Sequence, residues 1–359
     1  MKIIVLILIF PLLINIAFGQ NREEAEKLVD QGIAYHDKGD FEGAITYYDK
    51  ALELDKDNLF ALAEKAISLV SLNKYEDVVV VCKKAIELHP NESNLKIVYV
   101  AYGNALDALK KTDKSIEVYD EGIKIFPEFH HLYFNKGITL SSVKRNEEAL
   151  QCFQQSVTIN PNHASSHNAI ARILYMEGEN IPSLLAFCRF LILEPQSSRS
   201  LGNLELLQKI LKGGVEQKGE NNITMNISSK LLESAAADGK AKENSFGSVE
   251  LILNMASALD YDKENSNKTD VENFIRKVEA VCTSVEEMRN DNFGFYWQYY
   301  VPYFIELNKK GLIEPLAYIA FASSEKDNVM EWLKSQQSVI NEFYDWDGAY
   351  DWSNKEVEI

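Results

Sequence analysis

Cysteine, proline and basic residues are all scarce in this 359-residue chain, and each scarcity removes a class of protein. The four cysteines, Cys82, Cys152, Cys188 and Cys282, lie far apart without a CxxC pair, which excludes a disulfide-stapled scaffold and leaves buried thiols as the expectation. Eight prolines and 17 glycines are too few for a collagen-like or low-complexity chain. Basic residues number 37 against 54 acidic ones, a formal charge of −17, and no basic cluster exceeds two residues. Nucleic acids and anionic lipid surfaces would repel such a chain. Missing too are GxSxG, HExxH, a Walker-type glycine loop and a dinucleotide fingerprint, so no enzyme and no cofactor is expected. His130, His131, His163 and His167 stand near two expected helix starts. No carboxylate or cysteine completes a four-ligand set around them, so no metal is expected either.

One long apolar run exists. MKIIVLILIFPLLINIAFGQ carries a lysine, an apolar stretch from Ile3 to Ile14 and a small-x-small Ala17-Phe18-Gly19. It is too short and too interrupted for a bilayer span and reads as a signal peptide over 1–19, cleaved near Gly19. The expected destination is the periplasm or the exterior, with no direct membrane insertion of the mature chain.

Downstream, the chain repeats itself every 34 residues. Gly32 and Ala66, then Gly103, Gly137 and Ala171, are spaced by that period; so are Tyr119, Phe153 and Phe187, and Pro127, Pro161 and Pro195. Five units result, at 25–58, 59–92, 96–129, 130–163 and 164–197. The small residue at the eighth position lets a second helix approach the first closely, the large residue at the twenty-fourth fills the space between them, and the late proline ends the second helix. Links such as HDKGD and LNKYE mark the turn between two antiparallel helices. After Pro195 the leucines of SSRSLGNLELLQKILKGG line one side of a further helix that caps the array.

This pattern resembles the tetratricopeptide repeat family, over about half the chain. The fourth position departs from it, with Leu28, Leu62, Tyr99, Tyr133 and His167 where the family has tryptophan, and Phe190 replaces a small residue in the fifth unit. The resemblance implies an all-α superhelix whose concave wall comes from the first helix of each pair. It also implies ligand contacts from positions two, five, nine and twelve. Here those positions offer Phe60, Ile67, Val100, Phe134 and Ile138 as apolar anchors, with Asn104, Asn168, Arg172 and Tyr175 as polar partners toward the end. The first two units lack the lysines of a carboxylate clamp. An apolar groove for a protein or peptide segment is the expectation, unless these residues pack beneath the C-terminal helices.

The repeat array with its cap is expected over 20–213, a polar linker over 214–244, an all-helical C-terminal domain over 245–346 and an acidic aromatic tail over 347–359. Thr269 with Glu272 predicts a capping box before a helix. NDNFGFYWQYYVPYFIELNKKGLIEP (290–315) crowds eight aromatic residues into twelve positions, a helix apolar over most of its girth and therefore core. A lesser alternative makes Tyr296, Trp297, Tyr300 and Tyr303 a platform for a glycan or small molecule. The function expected is an exported adaptor that binds a partner protein.

Overall fold

The computed structural model describes residues 21–90, 92–218, 222–237 and 243–353. The signal peptide expected at 1–19 lies outside them, as does the end of the tail.

Five helical hairpins follow one another: α1 (21–36) with α2 (Phe41–Leu54), α3 (Leu59–Ser71) with α4 (Tyr75–Leu88), α5 (Leu95–Ala108) with α6 (Thr112–Ile125), α7 (His130–Ser142) with α8 (Asn146–Ile159), and α9 (Ala164–Glu177) with α10 (Asn180–Leu193). Each pair turns on a residue with left-handed backbone: Gly39, Asn73, Lys110, Lys144 and Gly178, with φ between 56° and 80°. All five stand at the fifteenth position of their unit. A left-handed residue there ends the first helix and reverses the chain, and glycine or asparagine adopts that conformation at least cost. The capping helix follows as α11 (Ser200–Lys212).

The small-to-large pairing is visible in the first unit of the fold. A Cβ on Gly32 would lie 2.3 Å from the Tyr48 ring, and one on Gly103 would lie 2.4 Å from the Tyr119 ring. Lysines at the seventh position of units two and four reach back to aspartates at the twenty-fifth position of the preceding unit, Lys65 to Asp49 and Lys136 to Asp120. A serine at the twentieth position donates to the eighth-position carbonyl at 2.8 Å in two repeats, Ser115 to Gly103 O and Ser183 to Ala171 O.

The chain forms two compact units, 1–152 and 153–359, divided within α8. In the first, the leucine, valine and alanine rows of α3, α4 and α5 bury against Tyr99, Tyr119 and Cys82. In the second, the hub is α10, in which every residue from Ile181 to Ile192 is buried. NIPSLLAFCRFLIL has no polar stripe, so it is stable only when covered on all sides. Its neighbours are α9, α11, α13 (Gly247–Ala258), α15 (Phe295–Lys309) and α16 (Ile313–Ala320). Around these lie α14 (Asp270–Met288), α17 (Asp327–Ser335) and α18 (Gln337–Ala349). Thr269 and Glu272 form the expected capping box at the start of α14. All four cysteines are buried free thiols. No helix among the described residues is long and apolar enough to cross a membrane.

The division does not fall at 214–244. That segment is polar enough to read as a linker, yet it carries a short antiparallel hairpin, β1 (Val215–Gln217) and β2 (Ile223–Met225), and α12 (Ser229–Ala237). The helix docks closely: a Cβ on Gly247 of α13 would lie 2.1 Å from the backbone nitrogen of Ala235. Nor is 347–353 a free tail, since Asp347 is buried and Trp352 packs on Tyr299 and Tyr303. Residues 354–359 lie outside the described structure.

Candidate functional site

The first helices of the first unit stand side by side. His36 at the end of α1 bonds Ser68 of α3 at 2.8 Å, α3 lies against α5, and α5 against α7. Each buries one stripe and presents another. On α3 the buried residues include Leu59, Leu62, Ala66 and Leu69, which leaves Phe60 59% exposed. On α7 Leu132, Thr139 and Leu140 are inside and Ile138 is 43% exposed. On α5 the same stripe starts at Ile97, 38% exposed, which occupies the second position like Phe60. Ile67, Val100 and Phe134 are half-buried, as residues at the edge of such a stripe should be. Spacings of seven (Phe60 to Ile67) and four (Phe134 to Ile138) keep each pair on one helical face.

Asn104 is less free than its position suggests. Its Oδ1 accepts a hydrogen bond from the Tyr119 hydroxyl at 2.6 Å, which occupies one of the oxygen's two lone pairs and leaves the amide protons as its main handle for a ligand. Burial raises the Tyr119 pKa, which keeps that hydroxyl a donor.

The remaining expected contacts, Asn168, Arg172 and Tyr175, belong to the second unit. Arg172 Nη1 donates to Asn203 Oδ1 of α11 at 3.0 Å, and the buried Oδ1 of Asn168 has no partner among the described residues. Tyr175 lines a polar cavity with Lys209 and Asn254. These three continue no apolar groove.

The aromatic helix corrects the platform alternative. Tyr296, Trp297, Tyr300 and Tyr303 are between 0 and 4% exposed, and each polar handle is taken by this chain. The Tyr296 hydroxyl accepts from Gln154 Nε2 at 3.1 Å, Trp297 Nε1 donates to Ser245 O at 2.9 Å, and the Tyr303 hydroxyl donates to Asp347 Oδ1 at 2.8 Å. His167 Nε2 donates to Pro161 O at 2.9 Å, so its Nδ1 accepts from the Tyr300 hydroxyl at 2.7 Å. Complete burial holds the His167 pKa down at about 3, with the nearby Arg189 charge acting the same way. The rings are core, as their girth implied, but a core shared with repeat residues.

At its centre is a charge that sequence reading passed over. Arg189, fully buried on α10, pairs with Asp347, donates to Asn162 Oδ1 at 2.8 Å, and lies with its guanidinium carbon 5.4 Å from the Tyr303 ring centre and 5.0 Å from that of Trp352. An arginine inside an otherwise apolar helix is the one signal that pointed to it. A buried guanidinium requires a paired charge and hydrogen-bond acceptors; Asp347 of the C-terminal segment supplies the carboxylate, Asn162 an acceptor, and Tyr303 and Trp352 flank it with ring faces.

A family model for the tetratricopeptide repeat matches residues 25–58, and a second matches 98–129 and 130–163. Protein STIP1 homolog of Dictyostelium discoideum is 26% identical over 168 residues, covering 38% of this chain and 30% of its own length. The chain therefore spans less than a third of that relative. Type IV pilus assembly protein PilF of Pseudomonas aeruginosa is 25% identical over 185 residues, covering 51% of this chain and 72% of its own. A solved structure of Pseudomonas aeruginosa pilF aligns over 53% of this chain and 85% of its own, at 24% identity and a TM-score of 0.47. Three of the five helical hairpins, at residues 25–58, 98–129 and 130–163, are tetratricopeptide repeats, and the other two share their turn and spacing.

Proposed function

We propose that the first unit is a docking module for a segment of another protein, held on the stripe that runs from Phe60 across Ile97 and Val100 to Phe134 and Ile138. The observation that carries this reading is the exposure of Phe60 and Ile97 at the second position of their units and of Ile138 at the ninth, two turns further along the same helical face, while each of these helices buries a separate apolar stripe. Isolated exposed apolar residues need no account, but a row of them on the same face of neighbouring first helices marks a contact surface. Likeness to a protein named for type IV pilus assembly supports the same reading. With 1–19 read as an export signal, docking takes place outside the cytoplasm. The negative charge of the chain favours a segment carrying lysine or arginine beside its apolar residues.

Selection of a displayed random-peptide library on the full chain tests this. Recovered peptides should share apolar residues flanked by basic ones. The double variant Phe60→Asp/Ile138→Asp should bind them at least ~10-fold more weakly, a loss of about 1.4 kcal/mol or more, with helical circular dichroism unchanged. Equal binding by the variant would defeat the proposal. A glycan platform on the aromatic helix is not retained, because its rings are enclosed.

A further inference from the structure

The second unit contains a cavity that the docking reading does not use. It has a volume of about 300 Å³ and opens between the end of α9, the end of α11, the hairpin and α13. A recess of about 60 Å³ adjoins it, sharing Asn180, Ser228, Leu231 and Glu250. Its lining is polar and close to neutral: Lys209 and Glu250 carry opposite charges, and Tyr175, Asn180, Asn226 and Asn254 carry none. Glu250 Oε1 already accepts from Asn180 Nδ2 at 2.7 Å.

Asn254 is the residue that points to a ligand. It is 3% exposed, it lines the cavity, and its carboxamide has no hydrogen-bond partner among the described residues. The group is held in place by shape, since a Cβ on Gly213 would lie 2.2 Å from Asn254 Oδ1. The carboxamide is not among the buried unpaired groups of the described residues, so it opens onto the cavity, where its donor and acceptor are available to a ligand in place of water.

The chemistry of the lining selects the class. Opposite charges cancel, which disfavours phosphate-bearing and other strongly charged ligands. The apolar contribution is confined to residues such as Ile210 and Leu231, which is too little for a lipid chain. A carboxamide offers a donor and an acceptor in one plane, and a hydroxyl both donates and accepts, so three asparagines match a molecule rich in neighbouring hydroxyls. Tyr175 adds an aromatic face for carbon-bound hydrogens. The volume sits at the lower end of small-molecule sites. We infer that this cavity binds a neutral saccharide of one or two rings, a role separate from peptide docking on the first unit.

Calorimetry and saturation-transfer NMR on the full chain test it, with N-acetylglucosamine, glucose and maltose as probes and glycyl-glycine and inorganic phosphate as zwitterionic and anionic comparisons. At least one saccharide should bind with a millimolar or tighter dissociation constant. Asn254→Ala should weaken it ~10-fold or more, and Tyr175→Phe, which keeps the ring, by less. Tyr175→Phe should keep the wild-type unfolding midpoint, and Asn254→Ala, which removes a packed side chain, should keep the wild-type circular dichroism and remain folded at the temperature of the binding measurement. Absence of saccharide binding, binding indifferent to Asn254→Ala and Tyr175→Phe alike, or tighter binding of glycyl-glycine or phosphate would each overturn the inference.

Discussion

Helices α6 and α10 are the same element two repeats apart, and they live in different surroundings. TDKSIEVYDEGIKI buries only Ser115, Val118, Tyr119 and Gly122, whereas NIPSLLAFCRFLIL buries everything from Ile181 to Ile192. One has a single apolar stripe and leaves its charged faces to water; the other has no face that water could accept. The repeat geometry is common to both, down to the serine that bonds the eighth-position carbonyl. What differs is the use of the surface around it. In the first unit that surface is left to water, and in the second it is claimed by helices of the same chain.

Charge removal should break the comparison most sharply. Asp347→Ala leaves Arg189 buried without its carboxylate and should cost the second unit about 3–5 kcal/mol. Asp120→Ala removes the partner of Lys136, whose pair is partly exposed, and should cost the first unit no more than about 1 kcal/mol. All four tryptophans lie at 297 or beyond, so tryptophan fluorescence during urea unfolding reports the second unit, while far-ultraviolet circular dichroism reports both. Equal losses for the two variants would show that the buried pair does not hold the C-terminal segment on α10.

The contrast also explains what the sequence made legible. The period of 34, the small-to-large pairs and the turns follow from short-range rules, because a residue at position eight can only meet one at position twenty-four of the same hairpin. Gly32 with Tyr48 and Gly103 with Tyr119 obey them. Exposed Phe60 and Ile138 followed from position alone. The boundary at 214–244 did not, since its polarity hides a hairpin and a helix that dock through backbone approach at Gly247. The aromatic helix was readable as core, but its partners His167 and Arg189 lie more than a hundred residues upstream, and no periodicity links positions so far apart. Asn254 gave no signal, because its role depends on a cavity assembled from four elements.

Acid should separate the units by a smaller step. A histidine in unfolded chain titrates near 6.5, whereas folded His167 titrates at about 3. Between those values the unfolded state takes up a proton that the folded state refuses, so stability is full above pH 6.5 and falls as pH drops below it. From pH 6.5 to 5 the loss from His167 should reach about 2 kcal/mol, read as a falling urea midpoint of tryptophan fluorescence. Carboxylates titrate mostly below this window. His167→Gln removes the titrating group and should flatten the dependence, whatever stability the variant starts from; an unchanged slope would place the acid sensitivity elsewhere in the second unit.

The smallest effect concerns what the two regions share. Ser115 and Ser183 are both fully buried and both donate to the carbonyl of residue eight, and that carbonyl still accepts its helical bond when the hydroxyl is removed. Ala44 and Ala149 occupy the same twentieth position in other repeats, so the site accepts alanine without repacking. Ser115→Ala and Ser183→Ala should therefore each cost about 1 kcal/mol, the net worth of one neutral hydrogen bond, the first read by circular dichroism and the second by fluorescence as well. Equality is the informative result, because it would mean that a repeat keeps its own internal energetics whether its outer faces meet water or the rest of the chain. A several-fold larger cost for Ser183→Ala would mean instead that packing around α10 stiffens the hairpin beneath it and makes the loss of even one small group hard to absorb.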